Sequence, residues 1–312
     1  MTAAPAAPAA RPTTRAPGDA ATARAVTTPL TVHHRHGSGG VVTVPWDAGL
    51  FPLRGHYPGF PIVPGVLLVE TADRAVREVG GVEAAWSGIR TTRFQRPVYP
   101  GDVLRAEVEV SSGGEITTAK VALTVAGAAA ATVTLTYQDD APAPVAAVPH
   151  ARVRPGEPDP DVTGILPHRY PMLLVDRVLH LDPPRTLLAA KAVSAGEWPY
   201  EHAGTTTGYP WPLVVESWCQ SAGVLAAADR PNPDVLSGQV MLFGGISGIT
   251  LGAPVRPGDV LVHRVQLDRD LGDVLMMSGS SEVDGRTVMS VDRITMAMRP
   301  ADALARTSGA GA

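Results

Sequence analysis

The chain repeats itself, and that constrains its fold more than any other feature. His56 is followed by "YPGFPIVPGVLLV" and Glu70, and His202 is followed by "AGTTTGYPWPLVV" and Glu216. Both glutamates stand fourteen residues after their histidine, and the two copies are offset by 146. Farther on, "RPVYPGDVL" at 96–104 returns as "APVRPGDVL" at 253–261, at an offset of 157. The second copy has therefore gained eleven residues in between, around "RPNPDVLSG". Two matching segments in the same order, on either side of a Pro-rich stretch at 139–164, mark a duplicated domain.

Each copy has the same coarse layout. Apolar stretches follow the histidine loops, "GVLLVETADRAVREVG" at 65–80 and "PLVVESWCQSAGVLAAAD" at 212–229. Their length and Ala/Leu content predict helices near 65–79 and 212–228, buried on most faces. Beyond them lie alternating segments such as "VLRAEVEVSS" and "VLVHRVQLDRD", bounded by Gly-containing turns, which predict antiparallel strands. The consistent architecture is α+β, a central helix wrapped by a curved antiparallel sheet, made twice. The expected organisation is a disordered tail over 1–28, a first domain over 29–141, and a linker over 142–164. A second domain follows over 165–299, then a tail over 300–312.

Composition narrows the function. The 312 residues carry a net charge of −4, which gives no electrostatic case for nucleic acid or an anionic membrane. No apolar run approaches the roughly 18 residues of a membrane span. The Ala/Pro/Thr-rich start lacks the continuous apolar core of a secretory signal. Cys219 is the single cysteine, so no internal disulfide forms, and a cytoplasmic protein is expected. The run "HHRH" at 33–36 has no carboxylate or cysteine cluster beside it and reads as a solvated flank.

The segment "GHYPGFPIVPG" at 55–65 fixes His56 among three prolines, a stiff setting suited to aiming a side chain. Together with "RFQRPVYPGD" and "LPHRYPMLLVDRV" at 166–178, it resembles the hot-dog fold dehydratases that act on 3-hydroxyacyl-acyl carrier protein in fatty-acid and polyketide synthesis. The likeness spans nearly everything from 41 to 298. It implies a double hot-dog and an active site shared between the halves, with the histidine from one and the carboxylate from the other.

Carried over residue by residue, that pairs His56 with Glu216, and His202 with Glu70. Pro64, Gly65 and Tyr57 would contact substrate, as would Gln220, which completes a Glu-x-x-x-Gln arrangement with Glu216. The reciprocal pair is eroded: Trp211 replaces the glycine seen as Gly65, and Arg74 replaces the glutamine after Glu70. One working site and one pseudo-site are expected.

The chemistry needs an imidazole as base for the α-proton. A carboxyl raised by an apolar pocket would protonate the leaving hydroxide. The resemblance implies no cofactor and no metal. The implied partner is acyl carrier protein bearing a phosphopantetheine-linked 3-hydroxyacyl chain. Arg90, Arg93 and Arg96 offer a basic patch for it, and a homodimer or a complex with other synthase components is compatible. The alternatives are a non-catalytic acyl-binding or partner subunit, a hot-dog thioesterase, and an isomerising dehydratase.

Overall fold

The computed structural model describes residues 23–139, 160–201 and 207–304. The first half contains β1 (Thr31–His36), β2 (Gly39–Pro45), α1 (Gly65–Gly80), β3 (Ala85–Phe94), β4 (Val103–Gly113), β5 (Ile116–Val125) and β6 (Ala128–Gln138). A short helix, α2 (Val162–Ile165), leads into the second half: β7 (Arg177–Asp182), β8 (Thr186–Ala192), α3 (Trp211–Ala227), β9 (Gln239–Leu251), β10 (Val260–Asp270), β11 (Val274–Val283) and β12 (Arg286–Pro300).

All the strand pairs are antiparallel, in the order β1-β2-β4-β5-β6-β3-β9-β12-β11-β10-β8-β7. Read inward from either edge, the order visits corresponding elements of the two copies. Each half is thus a six-stranded hot-dog, as the repeat predicts. The two sheets are not separate, however. They join edge to edge where β3 pairs with β9, Ile89 opposite Ile249 and Thr92 opposite Ile246.

Local sequence accounts for the elements. Pro64 sets the turn into α1, and Gly81, at φ +65°, ends it in the left-handed conformation that glycine adopts without strain. On β4, Leu104, Ala106 and Val108 point inward while Val103, Glu107 and Glu109 face solvent. On β5, Ala119, Val121 and Leu123 do the same. Burying one such Val or Leu contributes about 1.5–3 kcal/mol. α1 packs on β2, β4, β5 and β6, α3 packs on β8, β10 and β11, and the two helices touch. Of the eleven extra residues of the second copy, seven lengthen the connection between α3 and β9 (228–238 against 81–84), three lengthen β9 and one lengthens α3.

The tail and linker boundaries differ from expectation. Of the proposed 1–28 tail, residues 1–22 lie outside the described residues, but Ala23, Ala25 and Val26 are buried in the core. The Ala23 N–H donates to the Gly208 carbonyl, and the Ala25 N–H donates to Glu70 Oε1. Small side chains let this segment press onto α1, where a buried carboxylate needs a donor. At the linker's end, Asp161 accepts from the Thr163 N–H and caps α2, which buries Val162 and Ile165. After β12 the chain makes one further turn, Ala301–Leu304, anchored by the Ala301 N–H on the Gly238 carbonyl. Residues 140–159 and 305–312, the remaining linker and tail, lie outside the described residues.

Candidate active site between the two halves

The His56 loop folds back on itself. The Ile62 N–H donates to the His56 carbonyl, and Tyr57 and Phe60 exchange backbone hydrogen bonds. The Ile62 carbonyl accepts from His56 Nδ1 at 2.9 Å. A carbonyl can only accept, so Nδ1 carries the proton and Nε2 presents its lone pair. The Tyr57 ring stacks on the imidazole at 4.1 Å.

Gly55 explains why the motif begins with glycine. Its carbonyl accepts from the Arg169 N–H at 3.0 Å, and a Cβ there would collide with the Arg169 carbonyl oxygen. This approach brings a loop of the second half onto the histidine loop of the first. It delivers His168, whose ring lies edge-on to His56 at 5.2 Å and to Tyr57 at 5.0 Å. His168 is buried, and neither of its ring nitrogens has a hydrogen-bond partner among the described residues. Its Nε2 lies 3.4 Å from Glu216 Oε1, too long or oblique for a hydrogen bond.

Glu216 comes from α3 and is buried. Gln220, one turn on, donates through Nε2 to Glu216 Oε1 at 3.0 Å and to the Met172 carbonyl at 2.7 Å. Its Oε1 accepts from the Leu174 N–H. Gln220 therefore clamps the segment between His168 and β7 and orients the carboxylate at the same time. Ser217 adds a second clamp, donating to the Leu174 carbonyl and contacting the buried His263, which also reaches Ser281.

Burial and the nearby His168 lower the His56 pKa to about 4, so the ring is neutral. Burial pushes Glu216 upward, but His168, His56 and Gln220 together outweigh it and hold the carboxyl below its ordinary value. The expectation of a raised carboxyl is thus reversed, because the pocket is less apolar at this point than the sequence suggested.

His56 and Glu216 open onto a cavity of about 240 Å³ between the halves, lined also by Tyr57, Gly65, Phe94 and Phe243. Gly65 opens α1 there, and a Cβ in its place would sit 2.9 Å from the Phe94 ring. Pro64, just outside, sets the entry to the helix. Cys219 also lines the cavity, its thiol pushed up by burial, so it acts as filler and not as a nucleophile.

The reciprocal pair is placed differently. His202 lies outside the described residues. Glu70 is buried on α1, with Oε1 taken by the Ala25 N–H and Oε2 without a hydrogen-bond partner among the described residues. Where Gln220 clamps the segment after His168, Arg74 binds the Thr28 carbonyl. Residues 23–28 thus stand to Glu70 as the His168 loop stands to Glu216, with backbone in place of an imidazole. Burial raises Glu70 to about 8, against the opposing pull of the Val26 and Ala25 amides. Trp211, at the position of Gly65, is buried in the core.

His168 was the site residue that sequence reasoning missed. It sits in one of the three segments that carried the resemblance, between Pro167 and the "RYP" turn. A histidine in a stiff loop was the same signal that singled out His56.

Comparisons with known proteins agree with this architecture. Residues 35–133 match a family model described as ApeI dehydratase, and residues 166–292 match one described as a FabA-like domain. A curated relative, the 3-hydroxyacyl-[acyl-carrier-protein] dehydratase FabZ of Campylobacter curvus, is 35% identical over 129 residues, 40% of this chain and 86% of the relative. The FabZ of Nitrosomonas eutropha is 38% identical over 130 residues, 41% of this chain and 89% of that protein. Among solved structures, the dehydratase domain of a mycocerosic acid synthase-like polyketide synthase covers 91% of this chain and 100% of its own. It does so at a TM-score of 0.65 and 15% identity, a likeness of fold.

Proposed function

Because the chain belongs to the 3-hydroxyacyl-[acyl-carrier-protein] dehydratase family, we propose that it removes water from a 3-hydroxyacyl thioester on acyl carrier protein, giving the 2-enoyl thioester in fatty-acid or polyketide biosynthesis. One observation carries the assignment of residues: His56 from the first half and Glu216 from the second line one cavity, with side-chain atoms within 4.8 Å of each other.

The geometry supports the following steps. His56 Nε2, its lone pair fixed by the Nδ1–H bond to Ile62, takes the α-proton and the Cα–H bond breaks. The thioester carbonyl faces the start of α1 at Gly65, where backbone N–H groups stabilise the enolate oxygen. The Cβ–O bond then breaks, and the proton taken from Cα leaves with the hydroxide as water. Glu216 stands beside both imidazoles and hands that proton across, held in position by Gln220. Tyr57, stacked on His56, keeps the ring from turning and excludes water from its face. The Glu70 position is structural, its carboxyl sealed by residues 23–28.

The test is direct. The purified full-length chain is incubated with 3-hydroxyacyl carrier proteins of several chain lengths, and loss of water is followed by mass spectrometry. Turnover with at least one length is expected, and it should disappear in His56→Ala. No turnover at any length would overturn the enzymatic reading in favour of an acyl-binding partner subunit.

A further inference from the structure

Catalysis of this kind uses a histidine and a carboxylate, but a second imidazole, His168, stands beside this pair. One ligand atom from each of His56, His168 and Glu216 lies within 4.8 Å of the other two, and the three residues are only 8%, 6% and 2% exposed. Among the described residues, His168 is a buried imidazole with both nitrogens unpartnered, aimed at the carboxylate. We propose that these three side chains form a binding site for a transition-metal dication, Zn²⁺ above all, at one ion per chain.

The donor set selects the ion. Two imidazoles and one carboxylate suit Zn²⁺ and its neighbours, whereas Mg²⁺ and Ca²⁺ prefer all-oxygen sites. The outer contacts are those of a metal site as well. His56 donates its other N–H to a backbone carbonyl, which leaves Nε2 as a fixed ligand, and Glu216 is oriented by Gln220. Tetrahedral zinc with bonds of ~2.0–2.2 Å sets its ligand atoms roughly 3.3–3.5 Å apart. The pair His168 and Glu216 already meets that spacing at 3.4 Å. The widest pair must close by on the order of 1 Å, which side-chain rotation supplies. The cavity reaches His56 and Glu216, which would give water access to the fourth position.

Bound zinc would occupy the His56 lone pair and the Glu216 carboxylate, so the site is inhibitory for dehydration. That consequence rests on the functional reading above; the binding itself does not.

The experiment separates the two. Other histidines must first be silenced: His33, His34 and His36 lie on the exposed edge strand β1, with the last two rings 5.7 Å apart. In full-length protein carrying His33→Gln, His34→Gln and His36→Gln, Zn²⁺ is titrated calorimetrically and Co²⁺ by its visible absorption. One ion per chain is expected, with the intense cobalt bands of a four- or five-coordinate site. Adding His168→Ala or Glu216→Gln should weaken binding by more than about tenfold, the least that loss of a supporting contact costs. Folding of each variant is checked by circular dichroism, and Glu216→Gln decides if His168→Ala does not fold. No stoichiometric binding, or binding indifferent to both substitutions, overturns the site. Turnover that persists with zinc bound overturns its inhibitory role while leaving the binding result intact.

Discussion

Glu70→Gln tests whether the second carboxylate has been retired into the core. Glu70 is 4% exposed, and burial raises its pKa from 4.5 to about 8. The folded protein therefore keeps a proton that the unfolded chain releases between about pH 4.5 and pH 8. Stability from this group is fully present below the unfolded value and falls as pH rises through the window. It levels off above the folded value. At 1.36 kcal/mol per unit the shift corresponds to an upper bound of about 5 kcal/mol, and a few kcal/mol is the realistic scale. Glutamine imitates the protonated acid: it accepts from the Ala25 N–H and cannot ionise. Urea unfolding of wild type and variant at several pH values between 5 and 8.5 isolates Glu70 in the difference, because other groups cancel. The variant should gain on the wild type steadily as pH rises. Parallel pH–stability curves would refute the sealed-carboxyl account and leave Glu70 solvated, as an accessible second site would require.

The remaining predictions concern the working site. His56→Ala and Glu216→Gln should each lower dehydration by ~10²–10⁴-fold, while Glu70→Gln and His202→Ala should change it by less than about tenfold, read as steady-state turnover of folded variants. Equal losses at both pairs would mean two active sites. Gly55→Ala should force the Arg169 carbonyl away and displace the His168 loop, costing about 1–3 kcal/mol of stability in urea together with turnover. Reversing the charges of the exposed Arg90, Arg93 and Arg96 should raise KM for carrier-protein substrates and flatten its salt dependence, leaving kcat near the wild-type value. An unchanged KM would place the carrier protein on another face.

How far the sequence could be read follows from where each determinant lies. Local determinants were readable. The Ala/Leu-rich stretches became Gly65–Gly80 and Trp211–Ala227, within a residue or two of the predicted bounds, because a helix buried on most faces needs only apolar length and a proline to start it. Alternation gave the strands, the spacing of the histidines and glutamates revealed the duplication, and the resemblance to the dehydratases implied the pairing of His56 with Glu216. What could not be read depends on contacts between distant segments. The β3–β9 junction is a pairing of two edges, and period-two patterning fixes which face of a strand is buried but not which edge it meets. His168 gains its place through the Gly55–Arg169 contact and the Gln220 clamp, so its motif could be quoted without its role being visible. The same loop reverses the expected charge of Glu216, because His168, together with His56 and Gln220, outweighs burial there, whereas the amides beside Glu70 do not. Residues 23–28 carry the composition of a tail, yet Glu70 and Arg74 bind their backbone N–H and carbonyl groups, which every sequence supplies. In both halves the segment ahead of the first strand meets the helix glutamate: His168 stands 3.4 Å from Glu216, and the Ala25 amide donates to Glu70.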